Sequence, residues 1–162
     1  MNNHWGSLII FLLLVIGVSF FAAQFTPGEW YAGLVKPAWN PPNWLFAPVW
    51  SLLYVMIAVA GWQVWMSDHS RRALALVLWS AQLVLNAAWS WLFFGLERTG
   101  VAMFELAALL VLVIVTAAVF RDIRRSASIL LLPYIAWLGY ALSLNVAIWR
   151  LNGGGLNTLL GN

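Results

Sequence analysis

The 162 residues contain no cysteine. Disulfides, thiolate nucleophiles and cysteine-ligated metal centres are therefore excluded, and the redox compartment is left open. Charge is nearly as scarce, at 8% of the chain, against about 25% in ordinary soluble domains. A pI near 9.8 rests on only eight basic residues, so it does not describe a nucleic-acid-binding surface. The two histidines, His4 and His69, lie near a terminus and in a connection, without partners at metal-ligand spacing. No bound metal, axial haem ligand or other resident cofactor is expected. Paired carboxylates, a Ser/His/Asp set and a glycine-rich phosphate loop are all missing, which removes hydrolysis and phosphoryl transfer.

What the chain does have is apolar surface. Hydrophobic residues make up 64%, where soluble proteins carry roughly 45–50%, and this describes a polytopic all-α membrane protein. A bilayer core asks for about 20 mainly apolar residues per helix. Five segments meet that requirement, at residues 7–25, 44–66, 73–96, 101–120 and 126–149. The first has no Lys or Arg before it and is long enough to span, so it reads as a helix and not as a cleaved leader. Only the connection at residues 26–43 is long; the others are SDHSRR, ERTG and RDIRR. Short links make sequential helices antiparallel neighbours, so residues 1–162 are expected to form one five-helix bundle. There is no internal repeat.

The basic residues orient the bundle. Arg71, Arg72, Arg121, Arg124 and Arg125 fall in the second and fourth connections, while Lys36, Arg98 and Arg150 fall on the opposite side. The positive-inside rule then places the N-terminus inside and the C-terminus outside. Within the spans, polar and aromatic residues fall in stripes. Gln82, Asn86, Trp89 and Phe93 share a face of the third span, Phe46, Trp50 and Tyr54 a face of the second, and Trp137, Ala141 and Asn145 a face of the fifth. By depth, Trp50, Asn86, Trp89 and Asn145 all lie in the outer half, beneath the long connection. Aromatic walls with a few placed polar groups describe a ligand pocket.

Each of these residues has a plainer role open to it. Asn and Gln hydrogen-bond across membrane helices as glue. Tryptophan favours the membrane interface, which accounts for Trp5, Trp30, Trp39, Trp62, Trp65 and Trp149 near span ends. Trp50, Trp89 and Trp137 lie deeper, where belt membership explains them poorly. Glu105, the one carboxylate within a span, is shallow enough to snorkel or to pair with Arg98. Small residues at Ala73, Ser80, Ala81, Ala87 and Ala88 let another helix approach closely, so dimer contacts are expected along the third span.

Three stretches, WYAGLVKPAWNPPNWLFAPVWSLLY, AQLVLNAAWSWLFFG and LPYIAWLGYALSLNVAIWRLN, occur in this order. Together they resemble the TspO/MBR family, the tryptophan-rich sensory proteins of bacteria and the translocator protein of mitochondria. The resemblance covers nearly the whole chain. It implies a five-helix bundle, commonly a homodimer, that binds porphyrins such as protoporphyrin IX, sterols and synthetic isoquinoline or benzodiazepine ligands beneath the first connection. Carried across by motif, the implied ligand contacts are Tyr31, Pro41, Pro42, Trp50, Asn86, Trp89, Trp137 and Ala141. The resemblance also raises light- and oxygen-dependent porphyrin degradation, with Trp50 and Trp137 as the residues implicated, and porphyrin or sterol transport. Against active transport stand the missing inverted repeat and the lack of ion-coupling acids and nucleotide motifs. The sterol pattern departs at LNVAIWR, where Val146 stands in place of the tyrosine, so specific sterol binding through that segment is not expected. Pro37, Pro41 and Pro42 forbid helix and stiffen the first connection into a lid. Within it, Lys36 is the nearest cation for a ligand carboxylate, or else for a lipid headgroup.

Overall fold

The computed structural model describes residues 4–154; the first three residues and the rest of the Gly/Asn tail lie outside the described residues. Five long helices account for the apolar runs: α1 (His4–Ala22), α3 (Asn43–Trp65), α4 (Arg72–Ser90), α5 (Thr99–Ile123) and α6 (Arg125–Leu151). The first connection also holds a short helix, α2 (Glu29–Gly33). All five long helices are apolar and long enough to cross a membrane, so the chain is an integral, multi-pass, all-α membrane protein.

Local chemistry sets the helix ends. Pro41 and Pro42 have no backbone N–H, and α3 starts directly after them, with Pro42 extended at the N-cap position. Pro48 in α3 and Pro133 in α6 each remove one i→i−4 bond inside a span, which membrane helices tolerate when neighbouring groups re-satisfy the backbone. The last turn of the third span departs from α-helix. Trp91–Gly95 continues α4 as a π-helical turn, closed by the Leu96 N–H donating to the Trp91 carbonyl at 2.8 Å. Glu97, in the following loop, takes a left-handed φ of 58°.

The helices are ordered around the bundle α1, α3, α6, α5, α4, closing on α1. Three of the four consecutive pairs are therefore ring neighbours; α3 and α4, although joined by a short link, lie on either side of α1 and touch only over a limited stretch. Two long-range contacts identify the ends. Arg71, before α4, pairs with Asp122 near the end of α5, so the second and fourth connections share one end. Asn152, after α6, bonds to Val35, so the first connection and the end of α6 share the other. Toward the arginine-bearing end the interior is filled by Val64, Trp79, Val113, Phe120 and Leu131. Toward the other end it is hollow. The outer surface of the bundle carries exposed Ile9, Leu13, Val55, Val77, Val84 and Phe104, an apolar girdle that lipid would cover.

Candidate functional site

The hollow end holds a cavity of about 470 Å³, within the range of roughly 300–1,000 Å³ typical of small-molecule sites. Every long helix contributes to its wall. From α3 come Phe46, Trp50 and Tyr54, one turn apart on one face; from α4, Asn86 and Trp89; from α6, Trp137 and Ala141. Leu106 and Leu109 of α5 and Ser19 and Ala22 of α1 complete it, and Tyr31 of α2 closes the top. Among the described residues, no charged side chain lines it. Among the lining residues Ala23, Thr26, Pro27, Asn43 and Ala47 are exposed. The mouth therefore lies between the end of α1 and the start of α3, rimmed by both ends of the first connection.

A polar network spans the floor. The Tyr54 hydroxyl donates to Asn86 Oδ1 at 2.8 Å, and Asn86 Nδ2 donates to the Tyr134 hydroxyl at 3.1 Å. Asn86 and Tyr134 are buried, at 4% and 0% exposure. Higher up, Trp89 Nε1 donates to Asn145 Oδ1 at 3.2 Å, and Asn145 Nδ2 donates to the Thr99 carbonyl at 2.8 Å. Asn145 is thus consumed by the fold. It lies beside the main cavity, lining a small adjoining space with Trp89, Phe93 and Leu144. Phe46 meets Trp137 edge-on at 5.9 Å, and Trp50 packs on Tyr54 at 5.2 Å. The indole N–H groups of Trp50 and Trp137 make no hydrogen bond among the described residues, so neither is committed to the fold.

Of the residues singled out from sequence, Tyr31, Trp50, Asn86, Trp89, Trp137 and Ala141 meet on one cavity wall. Lys36, Pro41 and Pro42 do not line it. Lys36 Nζ donates to the Ala32 and Leu34 carbonyls at 3.3 and 3.1 Å and sits 4.5 Å over the Tyr31 ring. It caps the short helix α2, whose carbonyl end attracts a cation, and meets the cavity only through Tyr31. Burial raises the pKa of the Tyr31 phenol, an effect opposed by its hydrogen bond to Asn40. Of the stretch Lys36–Trp44, only Asn43 touches the cavity; the roof is the earlier part, Phe25 to Tyr31.

On α4, Phe93 stacks on Trp89 at 5.1 Å and lines the small adjoining space, while Phe94, also within the π-turn, reaches the main cavity. Gln82 is buried below Asn86, off the cavity wall, with no hydrogen-bond partner among the described residues. Glu105 makes no ion pair with Arg98; its carboxylate oxygens are buried without a hydrogen-bonding partner among the described residues. Two residues outside the expected site hold the middle of the first connection in place: Tyr140, whose hydroxyl donates to the Trp39 carbonyl at 2.9 Å, and Asn152, which accepts from the Val35 N–H. The asparagine of the RLN triplet was the only signal available for the second.

Comparison with known proteins gives a consistent picture. The sequence matches the TspO/MBR family over residues 9–150. It is 36% identical to the tryptophan-rich protein TspO of Chlorobaculum tepidum over 162 aligned residues, covering 94% of this chain and 99% of that protein. It is 38% identical to the translocator protein of Bos taurus, covering 94% of each. It is 37% identical to protein CrtK of Rhodobacter capsulatus, covering 82% of this chain and 84% of that protein.

Proposed function

Starting from a chain that belongs to the TspO/MBR family, we propose an integral membrane receptor whose cavity binds a porphyrin, with protoporphyrin IX as the reference ligand, and which regulates tetrapyrrole level or movement. The observation that carries this reading is the wall itself: Trp50, Trp89 and Trp137 around an uncharged space of about 470 Å³. Flat aromatic faces stack on a flat conjugated ring, at about 1–3 kcal/mol per well-stacked ring. Burying so much aromatic area in water-free surroundings adds to this. By the positive-inside rule the arginine-bearing end faces the inside and the cavity faces outward.

The test is quenching of tryptophan fluorescence by protoporphyrin IX in detergent or liposomes. Trp137→Ala should weaken binding about 10- to 100-fold, the range expected for one lost stacking partner. Unchanged affinity in Trp137→Ala and in Asn86→Ala would put the ligand elsewhere. A second reading, light- and oxygen-dependent porphyrin degradation, is favoured by the two uncommitted indoles facing one cavity, since an indole beside an excited porphyrin can donate an electron. Illuminating the same complexes decides it. Equal absorbance loss for wild type, Trp50→Phe and Trp137→Phe would leave binding as the function.

We further propose that the chain forms a homodimer through α4. Its lipid-facing stripe includes Ala73, Val77, Ser80 and Val84, with Ala81 and Ala88 half-buried beside it. The absence of native cysteine makes the check free of background. Val77→Cys and Val84→Cys should each crosslink to themselves in a bilayer, whereas Val111→Cys, on exposed α5 surface, should not; monomers throughout would refute the interface.

A further inference from the structure

Asn152 lies just past the last turn of α6, with its side-chain amide alongside the backbone of Val35. Oδ1 accepts the Val35 N–H at 2.9 Å, and Nδ2 donates to the Val35 carbonyl at 2.9 Å and to the Ile148 carbonyl at 2.8 Å. A backbone N–H only donates and a carbonyl only accepts, so the orientation of the amide is fixed by its partners. Aspartate could make only the first of these bonds, and alanine none.

The partner segment has little else to hold it. Pro37, Pro41 and Pro42 bring no N–H, and the backbone between Leu34 and Pro42 bonds to itself only at Asn40 N–H to the Pro37 carbonyl. The Asn40 side chain donates to the Pro41 carbonyl and accepts from the Tyr31 hydroxyl, and Lys36 bonds back to the Ala32 and Leu34 carbonyls, all within the connection itself. The other tie to a long helix is Tyr140 on the Trp39 carbonyl, at 2.9 Å. Both ties come from α6, the helix that also supplies Trp137, Leu138 and Ala141 to the cavity. The two ends of the same connection, Thr26–Pro27 and Asn43, form the rim of the mouth. Holding its middle on α6 therefore restrains how far the two ends can move apart at the rim.

We propose that Asn152 is a positioning residue that latches the first connection onto α6, and that breaking this amide pair opens the cavity mouth and sets how fast a ligand enters and leaves. This rests on reading the cavity as the ligand site. Val35 is 56% exposed, and two neutral hydrogen bonds near solvent are weak enough to open and re-form on the timescale of binding. Asn152 does not line the cavity, so the latch acts on rates and leaves the bound complex largely unaltered.

The experiment compares wild type, Asn152→Ala and Asn152→Asp by stopped-flow fluorescence with protoporphyrin IX, and by hydrogen exchange of the Val35 amide in ligand-free protein. In Asn152→Ala, association and dissociation should both accelerate about tenfold, with Kd changed less than about threefold, and Val35 exchange should rise about tenfold. Asn152→Asp, which keeps the acceptor for the Val35 N–H, should fall between. Unchanged rates, or a weaker Kd with unchanged association, would overturn the latch. If wild type fails to bind protoporphyrin IX, the porphyrin reading falls while Val35 exchange still decides the latch, and unchanged exchange overturns it.

Discussion

Gly61→Ala is expected to destabilise the protein by about 1–3 kcal/mol, an unusual outcome for a substitution that ordinarily favours helix. In an unobstructed helix the change would gain up to about 1 kcal/mol. Here the added methyl would lie 2.6 and 2.7 Å from Cε2 and Nε1 of Trp79, and 3.0 Å from the Phe11 ring. The indole cannot simply yield. Trp79 is 2% exposed, its Nε1 donates to the Ile57 carbonyl at 2.9 Å, and its ring packs on Phe11 at 5.0 Å. Ile57 lies one turn before Gly61, and the bare glycine backbone is what lets the indole reach that carbonyl. Overpacking costs about 1–3 kcal/mol, and loss of the hydrogen bond about 0.5–1.5. Together they outweigh the propensity gain. The contact joins α1, α3 and α4, so its loss should appear in the global unfolding transition, measured in detergent by heat or denaturant. Repeating the substitution on Trp79→Phe, with its smaller ring, should shrink the cost to below about 0.5 kcal/mol. An equal cost in both backgrounds would mean that the Gly61–Trp79 approach is not the cause.

The long helices were legible because lipid imposes one simple demand on sequence. Apolar runs of sufficient length point to spanning helices, and each of the five expected spans overlaps one long helix, the third through its last turn only when its π-turn is counted with α4. The cavity wall was legible for a related reason. Polar and aromatic residues at helical spacing stand out against an apolar background, so Trp50, Asn86 and Trp137 could each be placed on a stripe by spacing, and Trp50 and Asn86 in the outer half by depth. What stayed hidden depends on single backbone details. The π-turn at Trp91–Gly95 has no composition of its own, yet it carries Phe94 at the wall. The five-residue helix at Glu29 lies within a segment too short for periodicity to register. That helix is also what draws Lys36 inward as a cap, away from the anion-binding role its charge suggested. Gly61 carries no side chain to read. Asn152 looks like any polar residue after a helix, because its partner lies 117 positions earlier.

The largest effect is expected at Asn86. Replacing it with leucine should cost about 2–4 kcal/mol, because it strands two hydroxyls at once. Tyr54 donates to its Oδ1 and Tyr134 accepts from its Nδ2, and a buried polar group left unpaired costs about 1–3 kcal/mol. Tyr134, fully buried, should account for most of it, whereas Tyr54 faces the cavity and can recruit water. The asymmetry of hydrogen-bond energetics supplies the control. Removing all three partners together, as Tyr54→Phe/Asn86→Leu/Tyr134→Phe, leaves nothing unpaired and should recover most of the lost stability. If the triple variant is as unstable as Asn86→Leu, volume and not pairing is responsible. The recovered variant then separates the two roles that the sequence left open for this asparagine. It keeps the aromatic walls and the folded bundle but presents an apolar floor. Porphyrin affinity equal to wild type would make the network helix-to-helix glue. A loss of about tenfold or more, in a protein of restored stability, would make the floor a ligand contact.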